Sequence, residues 1–271
     1  MTDTTLNLFR QPKPLDSQAH RQLRYAPNQP YHFAAEQIFA PIMAGEVHMV
    51  AREYAIVFSD TRGSLPMALL GTAESRNGYV RASGHWAARY VPAHLRRYPF
   101  VMAASTAETQ GEGASEINHI VVVDADAPHL GADQGDRLFT DEGNPTEALQ
   151  KVQRVLVMME RDSQRTLAMV AQLETMGLLV PQQVTIVKKQ GQSLGLQGLR
   201  VVDMERLSNL EPEALKALQQ SGALALAYAH QLSLTNLQDG VLCEAPNSTA
   251  ASAESTSSGS ISFEGIDWSK F

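Results

Sequence analysis

The chain has 271 residues, of which 44% are hydrophobic and 19% charged. That composition excludes a disordered tail or a fibre, and the length lets the chain bury enough surface to fold without a metal or disulfide. The net charge is −7 and uneven: the first 98 residues carry 11 Lys and Arg against 7 Asp and Glu, and the remainder carry 11 against 22. No Lys/Arg-rich run is present, which argues against nucleic-acid binding, since that rests on phosphate neutralisation by a basic surface.

The opening MTDTTLNLFRQPKPLD has no basic n-region followed by an apolar run, so no signal peptide is expected. The stretch to about Pro41 is rich in Pro and Gln and predicts extended chain. Between Glu53 and Ala104 the short pieces YAIVF, MALLG, YVRA and HWAARYV, separated by Gly, Pro and SRNG turns, predict an antiparallel meander. INHIVVVDAD continues it, with Ile120 to Val123 reading as a strand buried on both faces and ending at Asp124. The polar GADQGDRLFTDEG predicts a loop.

Asn144 as N-cap, Pro145 at the first helical position and Glu147 three after the cap then open a helix. Leu149, Val152, Val155, Leu156 and Met159 follow at helical spacing, and Leu167, Val170, Leu173 and Leu178 keep nearly the same face. The pattern fits one long helix or two with a bend near Asp162 and Ser163. VTIVKKQGQSLGLQGLRVVD predicts a β-hairpin. SNLEPEALKALQQSG reads as a helix from Glu211-Pro212 to Gly222, and ALALAYAHQLSLTNLQ as a second, almost wholly apolar and therefore buried one. No segment has some 18 consecutive apolar residues, so no membrane span is expected. The fold class is α+β: an antiparallel β meander, a long helix, a β-hairpin and a C-terminal helix pair, followed by a disordered tail. Residues 1–243 read as a single domain. Residues 244–260 are a Ser/Ala/Thr-rich linker, and residues 261–271, with Ile261, Phe263, Ile266, Trp268 and Phe271, are a hydrophobic docking peptide for a partner or for the chain's own surface.

The sequence has no GxGxxG after a strand, no GxxxxGK[ST] and no HExxH. Cys243 is the only cysteine, which excludes an intramolecular disulfide and a Cys-rich zinc site, fits a reducing compartment such as the cytoplasm, and reads as a buried thiol near a helix end. His119 with Asp124 and Asp126, or His129 near Asp133, could form a hard-ligand metal site at a strand end, but the DADAPHLGADQGD loop departs from a Ca²⁺-loop register; no metal and no cofactor are expected. The densest unusual composition is WAARYVPAHLRRYPF. Here Arg89, Arg96 and Arg97 interleave with Trp86, Tyr90 and Tyr98, a pattern able to bind a carboxylate, a phosphate or a peptide terminus, or to pair with the acidic half of the same chain.

The run GHWAARYVPAHLRRYPFVMA resembles the bacterial SapC family, named from a surface-array (S-layer) locus. REYAIVFSD and MALLG before it, and FTDEGNPTEAL, GLLVP and GLRVVDMERLSNLEPEALKALQQSGALALAYAHQLSLTNLQ after it, extend the likeness from about Leu15 to Gln238. His94 stands where the family has Tyr. The resemblance supplies no catalytic motif. It implies an accessory role in surface assembly or nutrient-linked peptide handling, beside outer-membrane receptor, flavin-halogenase and cupin-like companions. The expected function is that of a soluble accessory protein binding a protein or peptide partner through Trp86, Arg89, Tyr90, Arg96, Arg97 and Tyr98 and through Phe263, Trp268 and Phe271. The alternatives are an enzyme with a site at the strand ends near His119 and Asp124, drawing on Arg96 or Arg97, and an S-layer-associated structural protein.

Overall fold

A computed structural model describes residues 8–72, 76–105, 118–189, 191 and 193–244. The docking peptide 261–271, and the linker expected before it beyond Glu244, lie outside the described residues. The class is α+β, with mixed helices and antiparallel sheets. The chain divides into two compact units, each built from two separate stretches: Met1–Phe33 with Arg96–Arg161, and Ala34–Leu95 with Asp162–Phe271.

In the first unit a three-stranded antiparallel sheet sets Asn118–Asp124 between Pro12–Pro14 and Phe100–Ser105. The run of Ile120 and three valines suits a pleated central strand. Val122 and Val123 are buried while Ile120 and Val121 are half-buried, so burial on both faces is confined to the strand's end. Pro12 and Pro14 occupy the edge strand, where proline's missing N–H is tolerated. A second small sheet sets Arg24–Tyr25 between Leu130–Gly131 and Asp136–Arg137. Part of the acidic stretch expected as loop is therefore strand, recruited by the N-terminal segment. Phe100, Val123, Leu138, Phe139, Leu149 and Leu156 form the core of this unit.

The helix Glu147–Thr175 is unbroken over 29 residues, which decides for one helix at Asp162 and Ser163. Its start is two residues later than the capping pattern predicts. Pro145 bridges Phe139, and Thr146 takes the cap: its Oγ1 accepts from Leu149 N–H at 3.5 Å and donates to the Arg137 carbonyl at 2.6 Å.

The second unit holds a five-stranded antiparallel sheet in the order Leu179–Pro181, Leu199–Val202, Ile56–Ser59, Met67–Leu69, Phe39–Pro41. Of the expected meander, Ile56–Ser59 pairs with Met67–Leu69 and Gly71–Thr72 pairs with Arg76–Asn77. YVRA and HWAARYV contribute one isolated bridge, Val80 to Trp86, because their aromatic side chains are tied into the interior by hydrogen bonds rather than a ladder. The hairpin also changes partners: Val184–Val187 pairs with Ser193–Leu196, and Leu199–Val202 leaves to join the large sheet. Helix Pro212–Ser221 begins on Glu211 with Pro at its first turn and ends at Gly222, whose φ of 89° is the left-handed conformation that favours glycine. Helix Ala223–Ser233 buries Ala223, Leu226, Ala227, His230 and Ser233, but Tyr228 and Leu232 are exposed, so its apolar character is not uniform burial. No helix among the described residues is long and apolar enough to cross a membrane.

Candidate partner-binding site

The Arg/aromatic segment is divided between the units, and most of its aromatic side chains are used internally. In the second unit Trp86 is buried; its Nε1–H donates to the Tyr54 hydroxyl at 2.7 Å and its ring stacks on Tyr79. Tyr54 in turn donates to the Tyr90 carbonyl. Two carboxylates hold the following loop. Glu53 accepts from the Arg89 and Tyr90 N–H groups at 3.0 and 2.8 Å, and Glu46 accepts from the Tyr90 hydroxyl and Ala93 N–H, both at 2.8 Å. The acid that satisfies this segment thus comes from the N-terminal half and meets backbone amides and a phenol. Burial pushes the Tyr54 phenol above its ordinary pKa, opposed by the Trp86 hydrogen bond.

In the first unit Tyr98 is buried beneath Phe33, whose ring stacks on it at 4.2 Å, and its hydroxyl donates to Asp124 Oδ2 at 2.7 Å. The same oxygen accepts from Arg10 N–H at 2.9 Å, and Oδ1 accepts from Gln11 N–H at 2.8 Å and Asp126 N–H at 3.3 Å. Burial alone would raise the Asp124 pKa, but these donors outweigh it and hold the carboxyl below its ordinary value. His129 packs edge-on against Tyr98 and Phe33; its Nδ1 is buried without a hydrogen-bond partner, and desolvation lowers its pKa to about 4.

Asp124 and Asp126 are therefore neighbours, tied through a backbone hydrogen bond. His119 is exposed five residues earlier on the same strand. At about 3.3 Å per residue that places its backbone roughly 17 Å away on the opposite face, so the three are not gathered around one point. Among the described residues no group of three His, Cys, Asp or Glu side chains could hold a metal ion.

Arg96 and Arg97 have a different setting. With Lys151 they line a cleft of about 180 Å³ whose other walls are Tyr25, Phe100, Val152, Val155 and Leu156. Arg96 is exposed and Arg97 half-buried. The Tyr25 ring meets Phe100 edge-on at 5.0 Å, and Phe100 and Leu156 belong to the core beneath, so the floor is apolar. Lys151 pairs with Glu147 one turn earlier at 2.9 Å, an exposed i,i+4 pair worth little. Val155 is 44% exposed and Met158, one turn further, 62%. Val152, Val155 and Leu156 were legible as a helix face and Lys151 was not, and only the tertiary fold brings that face to Arg96 and Arg97.

A family model described as SapC matches residues 15–239. The chain belongs to the SapC family. No curated protein and no solved structure matches it.

Proposed function

We propose that this SapC-family chain is an accessory protein that acts in the cytoplasm and binds a protein or peptide partner through the Arg96/Arg97/Lys151 cleft. The carrying observation is the combination in one place of three cationic side chains with an apolar floor and two exposed apolar side chains, Val155 and Met158, on the adjoining helix face. A volume of about 180 Å³ is below the roughly 300–1,000 Å³ of sites that enclose a cofactor or drug-sized ligand, and suits a single anchoring side chain. Aromatic anchors seated in such pockets dominate peptide and protein interfaces, and the cations select an acidic neighbour. Trp86 and Tyr98 are buried within their own units and the Tyr90 hydroxyl is held by Glu46, so the proposed contact surface is carried by the two arginines and Lys151.

The test is selection of a random peptide library on the immobilised full-length protein and on its Arg96→Glu/Arg97→Glu variant. Enrichment of peptides with an aromatic residue beside Asp or Glu, lost in the variant, is expected. No enrichment, or enrichment indifferent to the two arginines, overturns the proposal.

A further inference from the structure

The small sheet of the first unit has two faces. Tyr25 lines the cleft, and because successive strand side chains alternate, Arg24 lies on the opposite face. Arg137 is its direct cross-strand partner there, and like charges directly opposite each other are destabilising. Arg24 Nη1 donates to the Gly135 carbonyl at 3.0 Å, and Arg137 Nη2 donates to Asp141 Oδ1 at 2.7 Å. A third guanidinium, that of Arg21, reaches the same turn. The Cβ that Gly143 lacks would stand 3.6 Å from Ser17 Oγ and 3.9 Å from Arg21 Nη2, and its φ of 85° keeps this position for glycine. Asp141 is held below its ordinary carboxyl pKa first by the Arg137 hydrogen bond and, less, by the charge of Arg21, so both guanidinium groups act on one carboxylate, whose side chain is 76% exposed.

The Nε–H groups of Arg21 and Arg137 are buried and have no hydrogen-bond partner among the described residues. Buried donors left without an acceptor cost stability, and a ligand that accepts from them removes the cost. We infer that the Arg21/Arg137 cluster binds a phosphate group, free or carried as a monoester, seated over the bare backbone of Gly143 with the Ser17 hydroxyl as a further donor. A phosphate dianion brings more acceptor oxygens and more charge than a carboxylate, and guanidinium groups match it bidentately. Arg24 adds positive charge from the facing strand position. Asp141 is the competing anion, and phosphate replaces it at Arg137. All of these residues belong to the first unit and none lines the cleft, so the site is independent of the peptide-binding reading.

The test is calorimetric titration of the full-length protein with inorganic phosphate at neutral pH and constant ionic strength, with chloride as the control anion. Saturable binding to one site, which chloride does not reproduce, is expected. Arg21→Gln and Arg137→Gln should each weaken it at least about tenfold, the effect of losing a hydrogen bond to a charged group. Asp141→Asn, which removes the competing carboxylate, should tighten it. A parallel titration with glycerol 3-phosphate separates the two sources: tighter binding than inorganic phosphate assigns the site to an ester, and weaker binding assigns it to the free ion. Ser17→Asp places a carboxylate of the chain's own beside Arg21 and should abolish phosphate binding while raising the thermal midpoint. If Arg137→Gln loses the cooperative thermal transition of the unmodified chain, Arg21→Gln and Ser17→Asp give the reading. Absence of saturable binding below about 10 mM phosphate overturns the inference, as does binding that Arg21→Gln and Ser17→Asp leave unchanged.

Discussion

The Tyr98 hydroxyl and the Asp124 carboxylate meet at 2.7 Å in the interior of the first unit, joining the end of a central strand to the residue two before Phe100. Asp124 accepts from four donors, two of them N–H groups of Arg10 and Gln11 in the N-terminal segment. Tyr98→Phe is expected to destabilise the protein by about 1.5–3 kcal/mol, the range for a hydrogen bond to a charged group. Because the folded pKa of Asp124 is lowered, its contribution is complete above the unfolded carboxyl value of 3.8 and disappears as pH falls through the folded value. Urea unfolding of both proteins at neutral pH and below pH 4 checks both statements: the gap between them narrows in acid.

His230 is buried in its neutral form. Its Nε2 accepts from Val202 N–H at 3.1 Å, which leaves Nδ1–H to donate to the Ile56 carbonyl at 2.8 Å. Desolvation lowers its pKa from 6.5 to about 4, although the Ile56 bond works the other way. A depressed histidine contributes stability that is full above pH 6.5 and is lost as pH falls toward 4, about 3 kcal/mol for a shift of this size. His129 is shifted in the same direction and adds to the loss. Urea midpoints between pH 7.5 and 4.5 should fall steadily, and His230→Gln should flatten part of that slope; a midpoint independent of pH contradicts the assignment.

Arg200 and Glu174 form a nearly buried ion pair at 2.7 Å, with side chains 8% and 11% exposed, and Arg200 also donates to the Ser59 and Thr61 carbonyls. Removing one partner leaves a charge stranded in the interior, so Glu174→Ala should cost about 3–5 kcal/mol. The double change Glu174→Leu/Arg200→Met should cost less than Glu174→Ala alone, measured by thermal or urea unfolding.

Cys243 is fully buried, and desolvation raises its thiol pKa despite Lys188 nearby. Reaction with a disulfide reagent such as DTNB is expected to be slow in the native protein and stoichiometric in urea, because the thiolate is the nucleophile and neither access nor charge favours it here. Fast native labelling contradicts this burial.

Elements with strong local patterns were legible in the sequence: the β-branched strand ending at Asp124, the stripe of the long helix, and the Glu211-Pro212 start and Gly222 end of the helix between them. What local pattern missed was decided by pairing at long range. Arg24–Tyr25 converts an acidic loop into strand, and Leu199–Val202 abandons its hairpin for Ile56–Ser59, contacts between residues more than 100 positions apart that no periodicity encodes. The Arg/aromatic segment was conspicuous, yet its composition could not separate buried anchors such as Trp86 and Tyr98 from cleft-lining Arg96 and Arg97. Lys151, Val152 and Val155 carry no signal that links them to those arginines.

The interleaving of the two units along the chain constrains when each can form during synthesis. Strand Pro12–Pro14 waits for Asn118–Asp124, and Ile56–Ser59 waits for Leu199–Val202. At about 5–20 residues per second, the roughly 110 to 140 residues between such partners take on the order of 5–30 s to emerge. Throughout that interval the apolar Ile56–Ser59 strand has one edge unpaired. The second unit cannot complete its five-stranded sheet before Leu199–Val202 has been made, and no single cut in the gene releases either unit whole.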